Sequence, residues 1–143
     1  MKHHELDQLL TLAKIGQDFP QLLSRDKRLQ RWVDLLEVDP HRVLSTLHET
    51  EYQPARARSA LRCDNSALSV AFDDPLLRAT GLENDTYGEA KRFFQLSDGQ
   101  LHDIVCFCHF GTTVSAARTA RYIRAKHIDR TAGIWARLCA FFA

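Results

Sequence analysis

The sequence contains no long hydrophobic run and no sign of a secretory leader. The apolar stretch IVCFCHF, at residues 104–110, is far shorter than the roughly 20 residues that a helix needs to cross a bilayer. The opening residues, MKHHELDQLL, are acidic and amphipathic, whereas a signal peptide has an unbroken apolar segment. We therefore expect a cytoplasmic protein without a membrane span, in which the four cysteines are reduced thiols rather than disulfides.

The sequence also lacks the short motifs that usually mark an enzyme or a closed metal site. It has no glycine-rich phosphate loop and no serine nucleophile elbow. It also has no C-x-x-C or H-x₃-H pair that could supply half of the ligands of a zinc site. With 143 residues, of which 45% are hydrophobic and 26% charged, the chain is large enough for one domain with a real core. We expect a single domain over residues 1–143 that acts through binding rather than catalysis.

Helical periodicity dominates the first half of the chain. Ser24 can cap a helix whose buried face consists of Leu29, Trp32, Val33 and Leu36. The pair Asp39-Pro40 has the residue types of an N-cap and a first helical position, and it predicts a helix that buries Val43, Leu44 and Leu47. Residues 63–72 have some strand character, but the sequence offers them no partner strand. We interpret that stretch as an extended connector or a short helix.

The clearest helix start lies at Ser97. Ser97 and Gln100 have the spacing of a capping box, and Leu96 and Leu101 have that of a hydrophobic staple. The spacing predicts a helix over 98–109 that ends before Gly111, followed by a helix over 113–126. The fold class that follows is all-α: a single compact domain of about seven or eight short helices, packed as an orthogonal or irregular bundle.

The stretch HDIVCFCH, at residues 102–109, contains two histidines and two cysteines, which are typical zinc ligands. On a helix, His102, Cys106 and His109 share one stripe, whereas Cys108 lies on the buried face, about 160° from Cys106. His102 and His109 are about 10 Å apart along the axis, so the stripe supplies at most two ligands to one ion. Zinc would need further ligands from Cys63, His41, His48 or His127. Otherwise both cysteines are core residues, or Cys106 is a reactive thiol.

The charge of the chain is unevenly distributed. Residues 1–112 contain 13 lysines and arginines against 17 acidic residues, and residues 113–143 contain six against one. Residues 98–126 have the outline of a helix-turn-helix, so nucleic-acid binding through the helix at 113–126 is one alternative function. The residues predicted to contact nucleic acid or a protein partner are Thr113, Ser115, Arg118, Arg121, Tyr122 and Arg124. A sequence pI of about 7.8 favours a solvated or salt-bridged face instead.

The C-terminal stretch WARLCAFFA carries more apolar area than a free terminal helix can leave in water. It predicts an interface, with the core or with a second copy in a homodimer, formed by Trp135, Leu138, Phe141 and Phe142. The main functional prediction is a small helical protein-interaction or regulatory module whose contact surface lies in residues 98–143. A metal- or thiol-dependent protein that uses His102, Cys106 and His109 is the second alternative, and zinc enters as a cofactor only with it.

Overall fold

The structure, a computed structural model, describes residues 23–62, 64–106 and 111–129. This part of the chain contains seven α-helices and one two-stranded sheet. The helices are α1 (Arg25–Val38), α2 (Ala55–Arg58), α3 (Ala67–Phe72), α4 (Pro75–Ala79), α5 (Tyr87–Phe93), α6 (Asp98–Val105) and α7 (Ala116–Ile123), and the strands are β1 (Val43–Ser45) and β2 (Thr113–Ser115). A 3₁₀ turn covers His48–Glu51, and the π-helical turn Arg124–Ile128 continues α7. Each helix of the described ranges is too short or too polar to cross a bilayer.

Side-chain caps mark several helix starts, and those at Ser24 and Ser97 are the ones that the sequence predicts. Ser24 caps α1, and Thr86 caps α5 by accepting the backbone N–H of Glu89. Ser97 and Gln100 form the complete capping box of α6, with both reciprocal hydrogen bonds present. The short-helix interpretation of residues 63–72 is also confirmed, because α3 covers Ala67–Phe72.

The core is built around α1, which buries Leu29, Trp32, Val33 and Leu36. The Trp32 ring stacks on Phe94 with centroids 4.4 Å apart, and Phe93 meets Phe94 edge to face. The indole N–H of Trp32 donates to the carbonyl of Ala67 at 2.9 Å, which satisfies its polar atom inside the core. α1 packs most extensively against α7, whose inward residues are Ala116, Ala120 and Ile123. Two small alanines on this face allow the helices to approach closely.

The prediction of a helix that begins at Asp39-Pro40 is wrong, because these residues are followed by the strand β1. Asp39 is the C-cap of α1, and β1 pairs antiparallel with β2 so that Leu44 lies opposite Val114. Leu44 and Val114 are buried, whereas Val43 and Ser45 are exposed. The spacing of Val43, Leu44 and Leu47 is compatible with a helix as well as with a strand. The strand that pairs with β1 lies about 70 residues further along the chain, so the local sequence does not reveal it. Over the residues that the structure describes, the fold is therefore mostly helical with one small sheet, rather than purely all-α.

The predicted helix pair over 98–126 also needs correction. α6 ends at Val105 with Cys106 as its C-cap, and α7 begins at Ala116 rather than at Thr113. Thr113 and Ser115 lie on β2, so a strand directly precedes α7, where a helix-turn-helix would have only a short turn. The predicted residues Cys108 and His109, and the predicted interface residues Trp135, Leu138, Phe141 and Phe142, lie outside the described residues.

Candidate functional site

The 3₁₀ turn His48–Glu51 lies against the end of α6. The backbone N–H of Leu47 donates to the carbonyl of Val105 at 2.8 Å. The backbone N–H of Thr46 donates to the carbonyl of Thr112 at 3.0 Å. The two residues that follow β1 are thus hydrogen-bonded to Val105 and Thr112, the residues immediately before and after 106–111. These backbone bonds fix the position of the turn relative to α6.

Asp98 and His102 lie on one face of α6, and the C-cap Cys106 follows His102 at the same interval of four residues, which places the three one above another. Arg58 of α2 forms an ion pair with Asp98 at the N-terminal end of α6. The 3₁₀ turn covers the other end, where Glu51 reaches both His102 and Cys106. His102 and Cys106, two of the three residues of the predicted stripe, thus lie on the same side of the chain, and Glu51 contacts both.

Three ligand-type side chains converge where the turn meets α6. Oε2 of Glu51 lies 3.1 Å from Nε2 of His102 and accepts a hydrogen bond from the Cys106 thiol at 3.5 Å. One ligand atom from each of the three residues lies within 4.8 Å of the other two. We call Glu51, His102 and Cys106 the Glu–His–Cys cluster. It runs from the buried Cys106 to the Glu51 carboxylate, whose side chain is 51% exposed, so one end reaches solvent.

Thr50 holds the His102 ring from the side opposite Glu51. Its hydroxyl donates to the carbonyl of Leu47 at 2.7 Å and lies 2.8 Å from Nδ1 of His102. Consecutive residues of the 3₁₀ turn therefore contact both ring nitrogens of one histidine. The ring orientation is fixed by these contacts before any ligand is considered.

Two of the three separations within the cluster are close to those of neighbouring ligands on one tetrahedral ion. Zinc bonds of about 2.0–2.3 Å to oxygen, nitrogen and sulfur place neighbouring ligand atoms roughly 3.3–3.8 Å apart. The two short separations in the cluster are 3.1 Å and 3.5 Å. A shift of a few tenths of an ångström in the half-exposed Glu51 is enough to open the shorter one. The third separation, between the His102 ring and Sγ of Cys106, is no more than 4.8 Å, so the three side chains are of the types and in the proximity that a zinc site requires.

Sequence reasoning found two members of the cluster and missed the third. Glu51 lies in the stretch HETEYQ, which shows no ligand spacing of its own. Of the further ligands suggested by the sequence, His41 and His127 do not belong to the cluster, whereas Cys63, His109 and the side chain of His48 lie outside the described residues. The predicted opposition of Cys106 and Cys108 assumed a helix that continues through both, and α6 ends before Cys106.

The start of α7 is the second predicted contact region, and its backbone is bonded within the protein. The N–H groups of Ala116 and Ala117 donate to carbonyls within residues 40–42, at 2.9 and 3.0 Å. The N–H of Arg118 donates to the hydroxyl of Ser115 at 3.2 Å. These are first-turn donors that a helix otherwise offers to a phosphate. Their bonds within the protein remove them as phosphate ligands.

The side chains on the outward side of α7 differ in their surroundings. Arg118 and Arg121 are exposed. Arg124 pairs with Glu37 of α1 at 2.9 Å, and Tyr122 is half-buried, with its pKa raised by burial and by Asp103. Arg118 and Arg121 are thus the residues of this set that still fit an exposed contact surface. Contact with nucleic acid or with a protein partner stays a prediction.

Comparison of the chain with protein-family models, with curated proteins and with solved structures finds no match. Any functional conclusion must therefore come from the geometry of the chain itself. Within the described ranges, the Glu–His–Cys cluster is the group in which three metal-ligand side chains converge most clearly.

Proposed function

We propose that this protein binds a zinc ion through the carboxylate of Glu51, Nε2 of His102 and the thiolate of Cys106. The observation that carries the proposal is the convergence of these three atoms within 4.8 Å. Helical spacing alone aligns His102 with Cys106, but Glu51 arrives from a turn on a distant part of the chain. A carboxylate, an imidazole and a thiolate are ligand types that zinc accepts.

The donor set favours zinc over the abundant hard cations. Magnesium and calcium take oxygen ligands, and the cluster offers one carboxylate beside a sulfur and a nitrogen. The thiolate of Cys106 and the carboxylate of Glu51 bring two negative charges, which match the charge of Zn²⁺. The half-exposed Glu51 also gives the ion a route from solvent to the buried thiol.

The proposed ion has a structural consequence for the protein. It would connect the 3₁₀ turn to the end of α6, which the bond between Leu47 and Val105 already holds together. Because the three ligand atoms lie within 4.8 Å of one another, we expect binding to require little reorganisation of the chain. The proposal agrees with a protein that acts through binding, and two of its three ligands, His102 and Cys106, belong to residues 98–143, where the sequence predicts the contact surface.

Zinc titration of the metal-free protein tests this proposal. In competition with a chromophoric chelator, we expect one zinc ion per chain, and the cobalt-substituted protein should show a thiolate-to-metal charge-transfer band. Cys106→Ser should remove the band and weaken zinc binding roughly 100-fold or more, because it removes the strongest ligand. Glu51→Gln should weaken binding by about tenfold or more, because an amide is a poorer zinc ligand than a carboxylate.

Glu37→Gln is the matched control for the Glu51 variant. The Glu37 side chain is 44% exposed and pairs with Arg124, so this change removes a carboxylate of similar exposure outside the cluster. We expect it to bind zinc as the wild-type protein does. If the wild-type protein binds no zinc, or if Glu51→Gln and Cys106→Ser bind it as tightly as Glu37→Gln, the proposed function is wrong.

A further inference from the structure

Residues 51–58 connect two contacts with α6, one near each end of that helix. We call these residues the strap. We propose that the strap opens locally in the metal-free protein and that zinc binding holds it closed, so that the order of this segment depends on zinc. The inference rests on the zinc site proposed above, and it assigns the ion a regulatory effect on a part of the chain that contains only one of its ligands.

The first contact of the strap lies at the C-terminal end of α6. The Glu51 carboxylate lies 3.1 Å from Nε2 of His102 and accepts a hydrogen bond from the Cys106 thiol. The Glu51 side chain is half-exposed, so water competes with both partners. An ion pair of this exposure contributes little to stability. These contacts therefore hold the first end of the strap only weakly when the ion is absent.

The second contact lies at the N-terminal end of α6 and does not involve the ion. Arg58 forms an ion pair with Asp98, and both side chains are partly buried. Nε of Arg58 also donates to the carbonyl of Gln53 at 2.8 Å, within the strap. Directly after the strap, the carbonyl of Ser59 accepts the N–H of Gly88 at 3.1 Å. The second end is therefore held by a shielded ion pair and by the backbone that follows it.

The middle of the strap has little buried surface of its own. None of the four residues of α2 is buried, and the Tyr52 side chain is 69% exposed. The N–H groups of Ala57 and Arg58 both donate to the carbonyl of Pro54, at 2.9 and 3.1 Å. A segment with few buried contacts opens without unfolding of the whole protein. Opening of the strap is thus a local event, and it removes Glu51 from the Glu–His–Cys cluster.

Zinc binding and strap closure are coupled because Glu51 takes part in both. When the strap opens, an ion at the cluster keeps His102 and Cys106 as ligands and loses the carboxylate. We expect loss of this ligand to weaken zinc binding by about tenfold or more, as in Glu51→Gln. Because coupling between two equilibria is reciprocal, bound zinc must make opening rarer by the same factor, about tenfold or more.

Hydrogen exchange of the Ala57 and Arg58 amides measures this opening in the full-length protein. Both amides are bonded within the strap, so they exchange when it opens. At one fixed pH, saturating zinc should slow their exchange by about tenfold or more, the factor by which Glu51→Gln weakens zinc affinity. The Arg78 and Thr80 amides of the five-residue helix α4 are the internal reference, and zinc should change their exchange by less than about twofold.

Two variants separate the two ends of the strap. In zinc-saturated Glu51→Gln the ion no longer has a ligand in the strap, so zinc should leave the exchange of both strap amides nearly unchanged. Arg58→Gln removes the ion pair with Asp98. Exchange should be faster in this variant with and without zinc, while zinc should still slow it about tenfold or more. Equal slowing by zinc in Glu51→Gln and in the wild type would overturn the inference.

The results distinguish this inference from the proposed function. If the wild-type protein binds no zinc, both are wrong. If zinc binds but the strap amides exchange at their metal-free rate, or slow no more than those of α4, the zinc site stands and the inference alone is wrong. If Glu51→Gln does not fold, the comparison of the wild-type protein with and without zinc still decides between these outcomes.

Discussion

The helices α4 and α5 and the turn beside α6 use carboxylates in different ways. Asp74 and Glu89, at the starts of α4 and α5, have side chains that are only 4% and 6% exposed. Each is held by the guanidinium of an arginine. The Glu51 carboxylate is half-exposed, and its contacts include an imidazole and a thiol. The carboxylates of Asp74 and Glu89 are held by arginine side chains that stabilise the fold. The carboxylate of Glu51 contacts an imidazole and a thiol, which are groups that can bind metals.

The hydrogen bonds of the two buried carboxylates show how they are used. Asp74 accepts from Nε and Nη2 of Arg31, at 3.0 and 2.8 Å, and also caps α4 through the N–H of Leu77. Glu89 accepts from Arg92 and from the N–H of Glu83 at 2.7 Å. A buried acceptor with such partners is costly to remove, because the partners are left without bonds. We therefore expect the buried carboxylates to govern folding stability, and Glu51 to govern metal binding.

Replacement of Asp74 should have the largest effect on stability. Asp74→Ala removes both oxygens that bind Arg31 and the cap of α4, so we expect the free energy of unfolding to fall by about 2–4 kcal/mol. Asp74→Asn keeps a capping oxygen and should lose less. Urea denaturation followed by circular dichroism measures both changes. A loss below about 1 kcal/mol for Asp74→Ala would show that this pair is not structural.

Replacement of Glu89 should have an intermediate effect that depends on pH. Burial would raise the pKa of Glu89, but the hydrogen bonds from Arg92 and from the Glu83 amide outweigh it, so the pKa lies below its ordinary value. Because Arg92 is more than half exposed, we expect Glu89→Gln to cost only about 1 kcal/mol near neutral pH.

The sign of this pH dependence follows from the lowered pKa. A carboxyl whose pKa is lower in the folded protein stabilises the fold fully above the unfolded pKa, about 4.3, and loses that contribution as the pH falls through the folded pKa. The difference in unfolding free energy between wild type and Glu89→Gln should therefore be constant above about pH 5 and shrink in more acidic solution. A difference that grows on acidification would contradict the assignment.

Replacement of Glu51 should have the smallest effect on the metal-free fold. We expect Glu51→Gln to change the free energy of unfolding by less than about 0.5 kcal/mol, since half-exposed ion pairs contribute little. Added zinc should raise the thermal midpoint of the wild type more than that of the variant, because a ligand stabilises the state that it binds. If the metal-free variant is destabilised as strongly as Asp74→Ala, the contrast between the two kinds of carboxylate disappears.

The helix starts could be predicted from the sequence because their determinants are local. Ser24 and Ser97 bond to N–H groups three residues further on, so the pattern is complete within one turn. The strands could not be predicted in this way. Val43–Ser45 is three residues long, and its pairing depends on Thr113–Ser115, about 70 positions later. Local spacing at Asp39-Pro40 favoured a helix, and the distant partner overrode it.

The candidate site likewise combines residues that local spacing predicts with residues from a distant segment that it does not predict. The spacing of four residues predicted that His102 and Cys106 lie on the same side of the chain, and both contact Glu51 at the end of α6. Helical periodicity does not indicate which distant segment covers a face, so Glu51 and Thr50 were not found. The predicted length of α6 was also too great, because the capping box marks where that helix begins and leaves its end undetermined.

The two helices on either side of residues 106–115 have different requirements for forming. α6 carries its own capping box, so its first turn needs no distant residue. The first N–H groups of α7 bond to carbonyls in residues 40–42, more than 70 positions earlier in the chain. Closing a loop of that length costs conformational entropy before any contact is gained. We therefore expect the first turn of α6 to form early in folding, and that of α7 to form only when β1 and β2 have paired.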